Sequence, residues 1–324
     1  MRVAIVGSGA IGLLYGGWLQ SAGLDVVFAT RPGRQAALDG ATLTAEGRLS
    51  FRLRVSAVGD VANAGSFDAI ILAVKLYDLA SAAAQALPAL APEGALVAVQ
   101  NGVSAYGILR PLLEPSRLAI GPVFAATRLT GSSSVAYAGA DRVTLGNPEC
   151  KVSPAVDELV RRWTSVGVTA EIAEDIDDVI WTKFLGFATN AALTTLGRLP
   201  AGVIYHTPEL VKLAKQSIRE VASVGRAEGI AITRDAEEMT LRILQSLPPA
   251  TVASMRQDLD AGKRLELDFI SGEIDRIGHK HGIATPLHSL AYRLLQPFRD
   301  GAPMAAHDVS RPRSQQEGSH ACRK

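Results

Sequence analysis

The sequence predicts an α/β N-terminal half built on a mostly parallel sheet, followed by an all-helical C-terminal half. Short apolar runs alternate with helical patterns up to about residue 174, and strands separated by helices imply parallel crossover connections. From residue 175 onward the apolar residues recur with helical spacing. After Arg299 the chain becomes polar and rich in Gly, Ser and Arg. We therefore expect domains at 1–174 and 175–299 and a disordered tail at 300–324.

The elements of the first half can be predicted in order along the chain. They are strands at Arg2–Val6 and Asp25–Ala29 around a helix at Ala10–Ser21, a hairpin within Thr42–Val58, strands at Ala69–Val74, Ala95–Val99 and Leu118–Ile120, a helix at Leu79–Leu87, antiparallel strands from Phe124 to Gly146, a helix at Pro154–Ser165 and a strand at Val168–Ile172. The predicted helices of the second half are Asp175–Leu196, Pro208–Glu228, Asp235–Gln245, Thr251–Ala261, Leu265–His281 and Pro286–Gln296.

Composition excludes several classes of protein. The chain has 324 residues, 48% of them hydrophobic, and a net charge of +1, so we expect no nucleic-acid or anionic-membrane partner. Because it has only two cysteines, we expect no disulfide framework and favour a reducing, cytoplasmic setting. No apolar run is long enough to span a membrane. The six histidines lack the spacing of a metal site, so no metal is predicted.

Three spaced glycines follow the first predicted strand in MRVAIVGSGAIG. Gly7 permits the tight turn, Gly9 lets the backbone approach a pyrophosphate, and Gly12 allows close packing of helix on strand. Ala10 and Ile11 begin a helix whose first N–H groups and dipole favour phosphates. A glycine turn often does nothing but turn, but the strand before it and the helix after it predict a Rossmann-type dinucleotide-binding domain.

The second strand ends in FATRPGR, without the acidic residue that usually binds the ribose hydroxyls of NAD. Arg31 occupies that neighbourhood and Arg34 follows, and a guanidinium there suits the 2′-phosphate of NADP. Both could equally be solvated loop charges. We predict NADPH/NADP+ as the cofactor.

Two polar side chains follow predicted strands at the edge of the sheet where ligands bind in such folds. They are Lys75 in ILAVK and Asn101 in VAVQNG. A lysine there could simply extend to solvent, and an asparagine before glycine could simply form a turn.

Lys183 lies in VIWTKFLGFATNAALTTL, which is otherwise almost free of charge. A buried ammonium needs a partner, a route to water or a purpose, although the side chain could also reach solvent at a helix edge. Ser254 in VASMRQD and Glu266 in RLELDFISGE form a second polar set. Glu266 is either an exposed carboxylate at a helix start or a partner that orients Lys183.

These motifs, in this order, resemble the ketopantoate reductase (2-dehydropantoate 2-reductase) family. The resemblance runs from Met1 to about Pro286 and also includes WTKF, ELDFISG and HGIATP. It implies an oxidoreductase of pantothenate biosynthesis that reduces the 2-oxo acid ketopantoate to pantoate with NADPH. The sequence is compatible with a homodimer and does not fix the oligomeric state.

The resemblance also implies roles for individual residues. Lys183 would be the general acid that protonates the carbonyl oxygen, and Glu266 would position it. Asn101 would lie beside both nicotinamide and substrate, Ser254 would bind the substrate, and Lys75 would lie near the cofactor. Alkoxide formation during hydride transfer is stabilised by a positioned cation, so the lysine makes chemical sense independently.

The sequence departs from the family four and eight positions after the lysine, where the family usually has asparagines that help hold the substrate. Here the residues are Phe187 and Ala191, and Asn190 is the nearest amide. A more apolar site changes substrate preference more readily than reaction type. Two alternatives follow: the same chemistry on a more apolar 2-oxo acid, or an NADP-binding module without catalysis.

Overall fold

The structure is a computed structural model that describes residues 1–301. The elements of the α/β part are β1 (Arg2–Val6), α1 (Ala10–Ser21), β2 (Asp25–Ala29), α2 (Pro32–Leu38), β3 (Thr42–Glu46), β4 (Phe51–Arg54), β5 (Ser56–Val58), β6 (Phe67–Leu72), α3 (Leu79–Ala86), β7 (Leu90–Ala98), α4 (Ala105–Leu109), β8 (Leu118–Ile120), β9 (Val123–Gly131), β10 (Ser134–Leu145), α5 (Pro154–Ser165) and β11 (Thr169–Ile172). The helices that follow are α6 (Ile176–Gly197), α7 (Ala201–Ile204), α8 (Pro208–Ala227), α9 (Arg234–Gln245), α10 (Ser254–Asp260), α11 (Ser271–His281) and α12 (Pro286–Leu295).

The main sheet has six parallel strands in the order β5-β2-β1-β6-β7-β8. Val6 at the end of β1 pairs with Ala29 on one side and Leu72 on the other, so three strands end at one level. Ligands bind at this carboxyl edge in open α/β sheets. A Rossmann-type domain followed by helices is the predicted fold class, and it is confirmed.

A second sheet covers α1 from the side away from the parallel sheet. Its strands run β11-β10-β3-β4, and β9 pairs antiparallel with β10. Helix α1 packs on strands of both sheets, and its buried Tyr15 and Trp18 meet ring edge to ring face at 5.0 Å. The indole of Trp163 on α5 donates to the Tyr15 carbonyl at 3.0 Å. These contacts fix the helix whose N-terminus follows the glycine turn.

The long helix α6 has clear start and stop signals. Asp175 caps its first turn by accepting from the backbone N–H of Asp178 at 3.1 Å, and the acidic first turn suits the helix dipole. The helix ends at Gly197, because Arg198 adopts a left-handed φ of 50°. Trp181 is buried, and a Cβ on Gly225 would lie only 2.9 Å from its ring. Close packing at this point needs the glycine.

The chain separates into two compact units. The first consists of Met1–Phe187 and Gly225–Ala236, and the second consists of Ala188–Val224 and the chain from Glu237 onward. The second unit has its own apolar core, which includes Leu244 on α9 and Ala291 on α12. The sequence analysis predicted a single domain boundary at residue 174, and that boundary stays a prediction.

Some elements differ from the sequence prediction. The predicted hairpin within Thr42–Val58 contains only β3 and β4. The last strand of this range, β5, pairs parallel with β2 instead. The predicted helix Leu265–His281 is two pieces, because Ile270 has φ −114° and ψ −92° between a short 3-10 turn and α11. The expected tail lies outside the described residues apart from its first two positions. No helix within 1–301 is long and apolar enough to cross a membrane.

Candidate active site

The glycine turn after β1 is too tight for side chains. Gly7 has φ 107°, and a Cβ there would lie 2.8 Å from the backbone of Ala73. A Cβ on Gly12 would lie 2.0 Å from the carbonyl oxygen of Gly7. The first and third glycines are therefore required by the packing of strand, turn and helix.

Gly9 is different, because nothing lies within 4 Å of the position that its Cβ would occupy. It precedes α1 and offers no side-chain cap to the helix N-terminus. The first N–H groups of a helix lack intrahelical partners and bind anions well. Ala10 and Ile11 supply two of these groups. The open space and the uncapped helix start fit the pyrophosphate of a dinucleotide.

The side chain that reaches the glycine turn from beyond β2 is Arg34. Its Nε donates to Ser8 Oγ at 3.0 Å, and its Nη2 donates to the carbonyl of Ser132 at 3.0 Å. Ser8 Oγ in turn donates to Thr30 Oγ1 at 2.6 Å. Arg31, which the sequence favoured, is exposed at the start of α2. Arg34 is thus held beside the glycine turn.

Gln100 joins the ends of β6 and β7. Its Nε2 donates to the carbonyl oxygens of Leu72 at 2.7 Å and Val74 at 3.1 Å. Two carbonyl acceptors on one atom identify that atom as the amide nitrogen, so the side-chain orientation is fixed. Gln100 is buried and precedes Asn101, while Lys75 is half-buried just after Val74. Sequence analysis missed Gln100, although a polar residue directly after a buried strand was a usable signal.

Lys183 on α6 lies at the same edge of the sheet. Its Nζ donates to Asn101 Oδ1 and to the carbonyl oxygen of Val123, both at 2.5 Å, and lies 4.9 Å from the centre of the Phe124 ring. Within the first unit neither hydrogen-bond acceptor carries a formal charge. Burial lowers the pKa of Lys183 to about 7. Lys183 and Asn101, 82 residues apart in sequence, are thus brought together.

A small cleft opens beside Lys183. Its lining combines Gln100, Asn101, Gly102, Pro122, Ile180, Lys183, Phe184 and Phe187. Phe184 and Phe187 stack with ring centres 6.4 Å apart and an interplanar angle of 28°. The lining of the cleft therefore combines one amine and two side-chain amides with hydrocarbon groups.

The remaining predicted residues lie in the second unit. Glu266 is buried just before the 3-10 turn at Leu267–Phe269, and Ser254 is exposed as the first residue of α10. Asn190 Oδ1 accepts from the buried hydroxyl of Tyr205 at 3.0 Å. Ala191 is fully buried. The roles of Glu266, Ser254 and Asn190 stay predictions.

A parallel sheet with a glycine turn before α1 and polar groups at its carboxyl edge defines a dinucleotide-binding oxidoreductase. Comparison with known families agrees. Residues 3–149 match the family described as ketopantoate reductase PanE/ApbA, and residues 175–299 match the C-terminal part of that same family. Together the two matches cover more than half of the chain. The protein belongs to the ketopantoate reductase family.

Individual relatives match over almost the whole chain. A 2-dehydropantoate 2-reductase of Archaeoglobus fulgidus is 29% identical over 93% of this chain and 98% of its own length. The crystal structure of a PanE/ApbA family ketopantoate reductase from Ralstonia eutropha JMP134 has a TM-score of 0.83 and 29% identity, covering 92% of this chain and 98% of that one. A D-mandelate dehydrogenase with NADH and anilino(oxo)acetate shares the fold, with a TM-score of 0.83 and 22% identity over 92% of this chain and 98% of that one.

Proposed function

We propose that this protein reduces a 2-oxo acid to the 2-hydroxy acid with NADPH, and that Lys183 is the general acid. The observation that carries the proposal is the amine of the half-buried Lys183, held by Asn101 and Val123 at the carboxyl edge of the dinucleotide-binding sheet. Membership of the ketopantoate reductase family supports the same chemistry. Ketopantoate is the substrate that the sequence predicts.

Lys183 acts on the oxygen atom of the substrate carbonyl. When bound, the reduced nicotinamide supplies the hydride to carbon C2. As the carbonyl oxygen gains charge, the Lys183 ammonium donates a hydrogen bond and then a proton to it. Solvent reprotonates the amine, so each turnover consumes one proton.

Asn101 and Val123 orient the amine during this step. An ammonium has three N–H donors, and these two acceptors engage two of them. One donor remains for the substrate oxygen. Both acceptors are uncharged, so they orient the amine without adding negative charge of their own beside it.

The preference for NADPH over NADH rests on the residues after β2. The strand is followed by Thr30 and Arg31 rather than by a carboxylate, and Arg34 contacts Ser8 of the glycine turn. A guanidinium pairs with a 2′-phosphate, whereas a carboxylate repels it. We assign Arg34 and Arg31 to this phosphate, and Lys75 to the cofactor side of the site.

Roles in the second unit complete the proposal. Glu266 would position Lys183 and Ser254 would bind polar groups of the substrate, as the family resemblance implies. Asn190, the amide nearest to the positions where the family has asparagines, is also assigned to the substrate. Since Asn190 Oδ1 already accepts from Tyr205, its Nδ2 is the atom left to donate to a ligand.

A homodimer is proposed as the assembly, and sedimentation at the assay concentration tests it.

The test is NADPH oxidation with ketopantoate and with a panel of other 2-oxo acids, by wild type and Lys183→Ala. We expect wild-type turnover and a loss of kcat of about 100-fold or more in the variant, the range of general acid catalysis. The NADPH Kd of the variant should stay within about threefold, because glycine-turn contacts are untouched. NADPH binding without turnover of any 2-oxo acid would contradict the proposal and favour a non-catalytic binding module.

A further inference from the structure

The apolar part of the cleft beside Lys183 is built by one face of α6. Ile180, Phe184 and Phe187 are spaced at i, i+4 and i+7, and Lys183 lies at i+3, so all four share that face. Pro122 adds hydrocarbon from the segment between β8 and β9. We call Ile180, Phe184, Phe187 and Pro122 the hydrocarbon wall.

The wall is rigid. Phe184 is buried, its ring meets the buried Trp181 edge to face at 5.9 Å, and it stacks on Phe187. Phe187 is only half-buried, so part of its ring remains available for contact with a ligand. Aromatic rings fixed in this way present a large apolar surface at little cost in conformational entropy.

Apart from the buried Gln100 Oε1, which accepts no hydrogen bond among the described residues, the side-chain polar groups of the cleft are committed to other contacts or to the reacting end of the substrate. Gln100 uses its amide nitrogen on two backbone carbonyls, and Asn101 Oδ1 accepts from Lys183. The third donor of Lys183 is needed at the carbonyl oxygen under the proposed function. The amide nitrogen of Asn101 is suited to the carboxylate of the substrate. The four residues of the hydrocarbon wall carry no polar side-chain group that could bind a hydroxyl on the substrate's side chain.

We infer that the hydrocarbon wall selects 2-oxo acids whose side chain is purely hydrocarbon, branched or aromatic, over those whose side chain carries a hydroxyl, with Phe187 as the residue that determines this specificity. The inference rests on the proposed function, since it concerns the substrate of the same site. A hydroxyl placed against the wall loses water and gains no hydrogen bond from the side chains of the wall, which disfavours it. Ketopantoate carries such a hydroxyl.

The matched substrate for ketopantoate is 3,3-dimethyl-2-oxobutanoate, which differs from it by the loss of that hydroxyl alone. We expect wild type to show a kcat/KM for the hydroxyl-free acid about 10- to 100-fold above that for ketopantoate, the range in which apolar pockets reject an added hydroxyl. Phenylpyruvate should also be turned over. The ratio for one enzyme preparation is independent of active fraction and stability.

Phe187→Asn introduces an amide into the wall and should shift the ratio toward ketopantoate by about tenfold or more. Phe187→Leu is the control, because it removes the ring but keeps hydrocarbon, and it should retain the wild-type preference. As a readout besides turnover, calorimetry measures the Kd of both acids for each enzyme saturated with NADP+. Those Kd ratios should follow the kcat/KM ratios.

A wild-type preference for ketopantoate overturns the inference and leaves the proposed function standing. An unchanged ratio in Phe187→Asn, or an equal shift in Phe187→Leu, overturns the role of Phe187. If neither acid is reduced, the proposed function fails, and the Kd ratio in the NADP+ complex still decides whether the wall discriminates. If Phe187→Asn does not fold, the wild-type ratio and Phe187→Leu decide.

Discussion

The pH dependence of catalysis depends on the ionisation of Lys183. Burial lowers the pKa of its amine to about 7, from an ordinary value of 10.5. A general acid must be protonated to act, so kcat/KM for reduction should be level below pH 7 and fall above it. With a pKa of about 7, the protonated fraction is about 0.9 at pH 6 and about 0.01 at pH 9. The expected loss between these two pH values is therefore about 100-fold.

The assay is NADPH oxidation at saturating NADPH, with kcat/KM for the oxo acid measured from pH 5.5 to 9.5. Reduced nicotinamide carries no ring charge, so the cofactor adds no charge beside the amine. Oxidation of the hydroxy acid with NADP+ should show the opposite limb, because the neutral amine must then accept a proton. Its rate should rise with pH and level off, with a midpoint below that for reduction, because the positively charged oxidised ring lowers the pKa of the amine further.

Lys183→Arg separates this amine from other groups that titrate in the same range. A guanidinium stays protonated throughout, so residual activity of the variant should show no fall between pH 7 and 9. A level wild-type profile up to pH 9 would refute the lowered pKa. A basic limb of equal size in Lys183→Arg would show that another group controls the rate.

Three further predictions concern the cofactor turn and the sheet edge. Gly12→Ala should lower the free energy of unfolding by about 1–3 kcal/mol or more through overpacking, whereas Gly9→Ala should change it by less than about 0.5 kcal/mol. Gly9→Ala should nevertheless raise the NADPH Kd about tenfold or more. Denaturation measures the stabilities and fluorescence titration the Kd values, and equal stability losses in the two variants would contradict the geometry. Arg34→Ala should weaken NADPH binding by about 10- to 100-fold and NADH binding far less, with Arg31→Ala as the comparison. Equal losses of affinity for both cofactors would show that Arg34 does not bind the 2′-phosphate. Gln100→Leu should destabilise the fold by about 1–3 kcal/mol by removing two hydrogen bonds, to the carbonyl oxygens of Leu72 and Val74, and should lower kcat more than NADPH affinity. Unchanged stability would show that these two bonds contribute little.

The parts of the fold that local sequence patterns determine were predictable. The strand before the glycines and the helix after them follow from an apolar run and from glycines at the two positions where a Cβ would collide with backbone. Helix α5 has the predicted bounds, Pro154–Ser165, because proline at the first helical position and a strong apolar face mark it. The antiparallel pair β9 and β10 was also predicted, and the structure confirms it.

The parts that depend on distant partners were not predictable. The pairing of β5 with β2 rather than with the hairpin is a choice between two available edges, which periodicity cannot rank. The break at Ile270 interrupts a continuous helical pattern through tertiary context. Among the arginines after β2, the sequence could not say that Arg34 is the one that turns back to Ser8. The juxtaposition of Lys183 with Asn101 needed the family resemblance, since 82 residues separate them.

The two acceptors of Lys183 explain why a lysine, rather than an arginine, suits this position. An arginine would keep its proton at every accessible pH and could stabilise an alkoxide, but it could not complete the transfer. Asn101 Oδ1 and the Val123 carbonyl are uncharged acceptors that orient the amine, while burial lowers its pKa to about 7. The amine is therefore both oriented and close to half-protonated at neutral pH, which is the condition under which one group can serve as acid in reduction and as base in the reverse reaction.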